Sequence, residues 1–180
     1  ESGEAPPNCG TSGTGDQSLH IGNVAGSTGS ILCPNGDCGA AYDDTSPAEI
    51  TNRRVESPVI DCSGQTSITV DFNYIENGEA ADDDASFWYF DGATWTNLDP
   101  IAKSNLCGAQ GEWTAVNTIA LPASADNNPN VRIGFLWVND GDGVATDPSF
   151  AVDDITLSSN TPTGPIADFS PDAQTICEGD

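Results

Sequence analysis

Carboxylates dominate the side chains able to do chemistry in this 180-residue chain: 28 Asp and Glu stand against four Lys and Arg and one histidine, His20. Three groups of acids are close enough in sequence to act together. Asp82, Asp83 and Asp84 follow Glu76 across a short loop, Asn139, Asp140 and Asp142 lie in "NDGDG", and Asp153 and Asp154 sit side by side in "PSFAVDDITL". Calcium takes roughly six to eight oxygens from carboxylates, carbonyls and water. Glu76, Asp84, Asp140, Asp142, Asp153 and Asp154 are therefore the candidate calcium ligands, and the ion would be structural. Any acid that becomes buried needs a counter-charge, and Arg53, Arg54, Lys103 and Arg132 are too few to supply it. "NDGDG" is spaced like half of an EF-hand loop, but the residues that follow lack the glutamate near its twelfth position, so it reads equally as an acidic turn. Asp82–Asp84 read more simply as a solvated hairpin loop, and the sharpest of the three signals is Asp153–Asp154. On a strand, successive side chains point to opposite faces, and if alternation runs from Phe150 through Val152, Asp154 faces inward and Asp153 outward.

Catalysis is not expected from these residues. A triad would have to use His20, which is flanked by Leu19 and Ile21 in a strand-like run, and no G-x-S-x-G elbow is present. No pair among the 28 acids is singled out for glycoside hydrolysis. The four tryptophans, Trp88, Trp95, Trp113 and Trp137, suit a sandwich core, and Trp88 and Trp95 together would make a glycan-stacking platform if both faced solvent. The formal net charge of −24 excludes nucleic acid as a partner, repels anionic membranes, and favours cations and basic surfaces.

Six cysteines without metal-ligand spacing suit disulfides in an oxidising compartment, so the chain is expected to be extracellular, either secreted or attached to a cell surface. Cys33 and Cys38 enclose a short turn and are expected to pair; Cys62 and Cys107 make the second expected bridge. Cys9 and Cys177 are then left for each other, for flanking segments, or for an intermolecular bond in which Cys177 of one molecule meets Cys9 of the next.

The elements that must carry these groups are strands. Short apolar alternations recur between turn residues at 18–22, 53–60, 66–75, 85–90, 93–98, 113–121, 130–138 and 149–157, and no stretch has helical periodicity. In "ITVDFNYI", Ile68, Val70, Phe72 and Tyr74 share one face while Thr69, Asp71 and Asn73 share the other. Asp91-Gly92 is the two-residue signal for a tight hairpin. Residues 158–165, "SSNTPTGP", have linker composition, and 166–180 are too short to bury a core of their own.

The ordered set "SLHIG", "AAYDD", "NRRVESPVIDCSGQ", "ITVDFNYIENG", "DDDASFWYFDGATWTNL" and "RIGFLWVNDGDGVATDPSFAVDDITL" resembles a secreted jelly-roll module of Bacteroidetes surface proteins, akin to the cleaved-adhesin and MAM-like jelly rolls. The tail "PIADFSPDAQTICEGD" resembles the opening strands of a PKD domain. The resemblance implies an all-β, jelly-roll β-sandwich of two antiparallel sheets over 1–157, supported by calcium, a linker over 158–165, and the start of a PKD-like domain over 166–180. Members of that family begin further upstream, with a Trp-containing strand. The function expected is that of a non-catalytic cell-surface adhesion module that meets a glycan or a surface protein. Two alternatives stand beside it: a filament subunit whose tail donates a strand to its neighbour, and a carbohydrate-binding module.

Overall fold

The computed structural model describes residues 9, 18–21, 50–79, 82–103, 107, 111–142, 144 and 148–160. Within them lie eight strands: β1 Leu19–Ile21, β2 Thr51–Glu56, β3 Thr66–Glu76, β4 Asp84–Phe90, β5 Trp95–Asn97, β6 Thr114–Ala120, β7 Arg132–Asn139 and β8 Phe150–Asn160. A single 3-10 turn, Ala123–Ala125, separates β6 from β7. Each strand overlaps one of the eight alternating runs read from the sequence. They form two antiparallel sheets, β1-β8-β3-β6 and β2-β7-β4-β5, called sheet one and sheet two below. The chain changes sheet at every step except from β4 to β5. No described helix is long and apolar enough to cross a membrane.

The alternation of β3 is realised as expected. Ile68, Val70, Phe72 and Tyr74 are buried between the sheets, and Thr69, Asp71 and Asn73 lie on the other side. Phe72 meets Phe87 of β4 at 5.3 Å and Phe135 of β7 at 5.0 Å between ring centres, and Phe150 of β8 joins Phe135 at 5.5 Å. These contacts hold the sheets face to face. Ile75, Trp113 and Ala151 make a second, smaller apolar cluster. The β4–β5 connection differs from the tight hairpin expected. Phe90 pairs with Trp95, leaving a four-residue loop in which the Asp91 carboxylate accepts the N–H groups of Ala93 (2.8 Å) and Thr94 (2.7 Å) and Gly92 takes φ +98°. The side chain of Asp91 closes the turn, which lets the loop be longer than two residues.

Three irregularities in sheet one share one construction. Ser67 in β3, Thr118 in β6 and Asp154 in β8 have left-handed backbone, with φ +52°, +61° and +52°. Each lies where the strand pairing shifts register. At each of them the backbone N–H donates to an aspartate: Ser67 to Asp126 (2.9 Å), Thr118 to Asp71 (2.7 Å) and Asp154 to Asp153 (2.8 Å). A bulge removes an N–H from the ladder, and a carboxylate takes it up.

Candidate cation site

At the end of β3 the inward-facing series closes with an acid. Glu76 is fully buried, and its Oε1 accepts the backbone N–H of Ala85 in β4 at 2.9 Å. Lys103, the only lysine in the chain, brings its ammonium to this carboxylate from the segment after β5. Its Nζ lies 3.2 Å from Glu76 Oε1 and 3.3 Å from Asp84 Oδ1, and it donates to the Asn77 carbonyl at 3.1 Å and to the Asp83 carbonyl. Four oxygens thus converge on a group with three protons. Beside them, Glu76 Oε2 is buried with no hydrogen-bond partner among the described residues.

The loop between β3 and β4 is shaped to deliver its carbonyls. Gly78 has φ +91°, and a Cβ placed there would fall 2.5 Å from the Asp83 carbonyl oxygen and 2.8 Å from Cη2 of Trp137. Only glycine lets the loop fold this tightly over the tryptophan. Asp83 N–H donates to the Glu79 carbonyl at 3.0 Å, and Asp83 Oδ1 accepts the N–H of Asp140 at 3.2 Å, tying the loop to the one after β7. On the other side Tyr74 fixes the segment that carries Lys103. Its hydroxyl donates to the Ala102 carbonyl at 2.9 Å and accepts the Ala102 N–H at 3.1 Å.

Burial pushes the Glu76 carboxyl up to about 7, with the Ala85 N–H and Lys103 only partly offsetting it. Glu79 is also raised, first by desolvation and then by repulsion from Asp142, Asp83, Asp82 and Asp140. Asp99 is raised mainly by burial, with Asp84 adding to it. This end of the sandwich is therefore crowded with negative charge around one ammonium. Among the described residues no three His, Cys, Asp or Glu side chains converge on a point. The nest is instead half main chain: two carboxylates and two backbone carbonyls, a donor set that suits a hard cation.

Of the expected ligands, Glu76 and Asp84 come together here. Asp140 and Asp142 lie in the adjoining loop, but their carboxylates accept the N–H groups of Asp142 (3.0 Å) and Val144 (2.7 Å), so they cap their own turn. Asp153 and Asp154 are elsewhere. The extra residue in β8 turns Asp154 outward, where it is exposed and accepts Asn73 Nδ2 at 2.9 Å. Its expected inward position is corrected by the bulge, because one inserted residue reverses every side chain beyond it. Glu76 projects between the sheets and Asn73 away from them, so the two acidic groups lie on opposite sides of sheet one. Lys103 and the carbonyls of Asn77 and Asp83 were missed as site residues. A lone lysine in so acidic a chain was the available signal for the first; nothing in the residue types marked the carbonyls.

The disulfide expectations also change. Cys107 bonds Cys9, with Cα atoms 5.6 Å apart, and Cys62 is a buried free thiol. Cys62 lies near Asn128 and the start of β3, whereas Gly111 and the Cys9–Glu112 bridge lie near its end, beside Ile75. The length of β3, about 33 Å, separates those positions and no disulfide spans it. Cys9 is thereby engaged within its own chain. Cys33, Cys38 and Cys177, and the tail 166–180 with most of the linker, lie outside the described residues.

Trp88 and Trp95 are partly exposed on the outer face of sheet two, with Phe90 between them in the β4–β5 hairpin. Trp95 packs on Phe90 at 5.1 Å and carries the Arg54 guanidinium 3.9 Å over its ring. Gly134 leaves room for it: a Cβ there would meet both Trp95 and Arg54 at 3.2 Å. Glu56 joins the layer by bridging Arg54 (2.8 Å) and Arg132 (3.5 Å). Trp113 and Trp137 are buried in the apolar clusters.

The described residues thus form an all-β sandwich with an oxygen-lined nest around the Lys103 ammonium at one end and an aromatic, arginine-bearing face on one sheet. No protein-family model matches it, and comparison with curated proteins finds no match.

Proposed function

We propose that this chain is a non-catalytic extracellular module of the cell-surface adhesion type, a jelly roll whose loop-bearing end is organised by calcium. Strand order supports the jelly-roll assignment: chain neighbours fall in opposite sheets except at one hairpin, as in a sandwich built of two Greek keys. The observation that carries the calcium assignment is Glu76, a fully buried carboxylate with one oxygen lacking a hydrogen-bond partner among the described residues, beside two carbonyls and Asp84. Glu76, Asn77, Asp83 and Asp84 would hold the ion. It would neutralise the charge between the β3–β4 and β5–β6 connections and so fix loops that a partner could read.

Thermal melts in excess calcium and in excess chelator, near neutral pH, test this. With calcium about 100-fold above its Kd, the melting temperature is expected to rise by roughly 5–10 °C. Identical melts would remove the ion from the account.

A second reading is favoured by the outer face of sheet two. Trp88, Phe90 and Trp95 lie beside Arg54 and Arg132, a layer able to stack a pyranose and hydrogen-bond its substituents. In a chain of net charge −24, Arg54 and Arg132 against the single Glu56 leave that layer with a positive excess, which favours an acidic sugar over a neutral one. Titration with neutral and uronic-acid oligosaccharides, followed by tryptophan fluorescence, tests it. Saturable quenching that disappears in Trp95→Ala supports the glycan site, and an unchanged spectrum removes it. The filament alternative in its covalent form needs a free Cys9, and the Cys9–Cys107 bond takes that cysteine.

A further inference from the structure

We propose that Lys103 is a tethered competitor for the calcium site: its ammonium holds the nest together when calcium is scarce and swings out to solvent when the ion enters. The inference rests on the calcium reading of Glu76, Asn77, Asp83 and Asp84. Three features support the exchange. First, the ammonium stands among the same four residues that would bind the ion, so the two cations exclude each other. Second, the lysine is at the rim: its side chain is 18% exposed while that of Glu76 is 0% exposed, so a rotation about its own flexible stem reaches water without opening the core. Third, its anchors are separate from the nest. Ala102, the residue before Lys103, is held by the Tyr74 hydroxyl through both its carbonyl and its N–H, so the backbone there keeps its own anchor when the ammonium leaves.

Charge and coordination set the direction of exchange. Lys103 leaves the two carboxylates with one net negative charge and offers three protons to four oxygens, with Glu76 Oε2 still lacking a hydrogen-bond partner. A divalent ion cancels both carboxylates and has coordination positions for the remaining oxygen and for water. The lysine therefore keeps the apo protein folded while weakening its apparent calcium affinity, since each binding event must displace it.

Lys103 is the chain's sole lysine, so acylation of its ε-amine, located by peptide mapping to separate it from the α-amine, reads its position directly in the full chain. Calcium is expected to speed acylation of Lys103 by at least about tenfold over the chelated protein. In Lys103→Met, calcium affinity measured by calorimetry should tighten by at least about tenfold while the melting temperature in chelator falls. A simple structural ion pair would lower the melting temperature without tightening calcium. Equal calcium affinity in the two proteins, with unchanged acylation, would overturn the exchange and leave calcium binding standing. Absence of calcium binding in both would overturn the calcium reading and the exchange with it. Should Lys103→Met not fold, the acylation rate of the unaltered chain decides alone.

Discussion

Two acids on sheet one meet opposite fates. Glu76, the last residue of β3, stays on the inward-facing series and is buried against an ammonium; Asp154, in the middle of β8, would sit on the inward-facing series of its strand and is turned out to solvent. What separates them is one residue of register. β8 carries an inserted residue at Asp154, with left-handed backbone clamped by the neighbouring Asp153 carboxylate, and β3 carries no such insertion near Glu76. A strand can avoid burying a carboxylate by bulging, and where it does not bulge it must bring a cation. Aspartates clamp a bulge at three places in this sheet, one of them the bulge that turns Asp154 outward, and Lys103 serves the second solution at Glu76.

The largest effect expected is at the buried acid. Glu76→Ala removes the buried carboxylate beside the Lys103 ammonium, leaving it only the part-exposed Asp84, and leaves the Ala85 N–H unsatisfied; chemical denaturation should register a loss of about 3 kcal/mol. The paired change Glu76→Leu with Lys103→Met should recover much of that loss, because the charge and its partner leave together.

A comparable effect is expected from pH in chelator. The carboxyl of Glu76 is raised from 4.5 to about 7 on folding, so between those values the folded state binds more protons than the unfolded one. Its contribution to stability therefore falls as pH rises from about 4.5 to about 7 and is flat beyond, by an amount on the order of 3 kcal/mol. Glu76→Gln should lack this slope, and the difference between the two stability curves isolates it from the other acids.

Gly78→Ala should cost about 2 kcal/mol, since φ +91° disfavours a side chain and the new Cβ meets the Asp83 carbonyl and Trp137. It should also weaken calcium binding by displacing that carbonyl. Smallest of all is Asp154→Gly, expected within about 0.5 kcal/mol of the native chain because glycine accepts φ +52° freely. Asp154→Val, which alternation alone would favour at an inward site, should instead lose about 1–2 kcal/mol. A stabilising valine would mean that β8 runs without its bulge.

Much of the fold was legible because a sandwich strand announces itself by alternation. "ITVDFNYI" assigned its inward face correctly, and all eight strands lay under runs bounded by turn residues. The bulges were not legible, since an inserted residue leaves composition unchanged and shows only in how two strands pair. That is why Asp154 was assigned to the wrong face. Half of the cation nest was legible as Glu76 and Asp84. The rest comes from a lysine some twenty residues further on and from two backbone carbonyls, which every residue carries and whose direction only Gly78 and the loop geometry set. The Cys62–Cys107 pairing failed for a related reason: sequence position does not reveal that the two lie toward opposite ends of an eleven-residue strand.

The most direct test of the central claim compares calcium binding by calorimetry in the native chain, in Glu76→Gln, and in the double variant Asp153→Asn with Asp154→Asn. A nest at the end of β3 predicts native-like binding in the double variant and a loss of at least about 100-fold in Glu76→Gln. Retention in Glu76→Gln with loss in the double variant would contradict it and place the ion on β8.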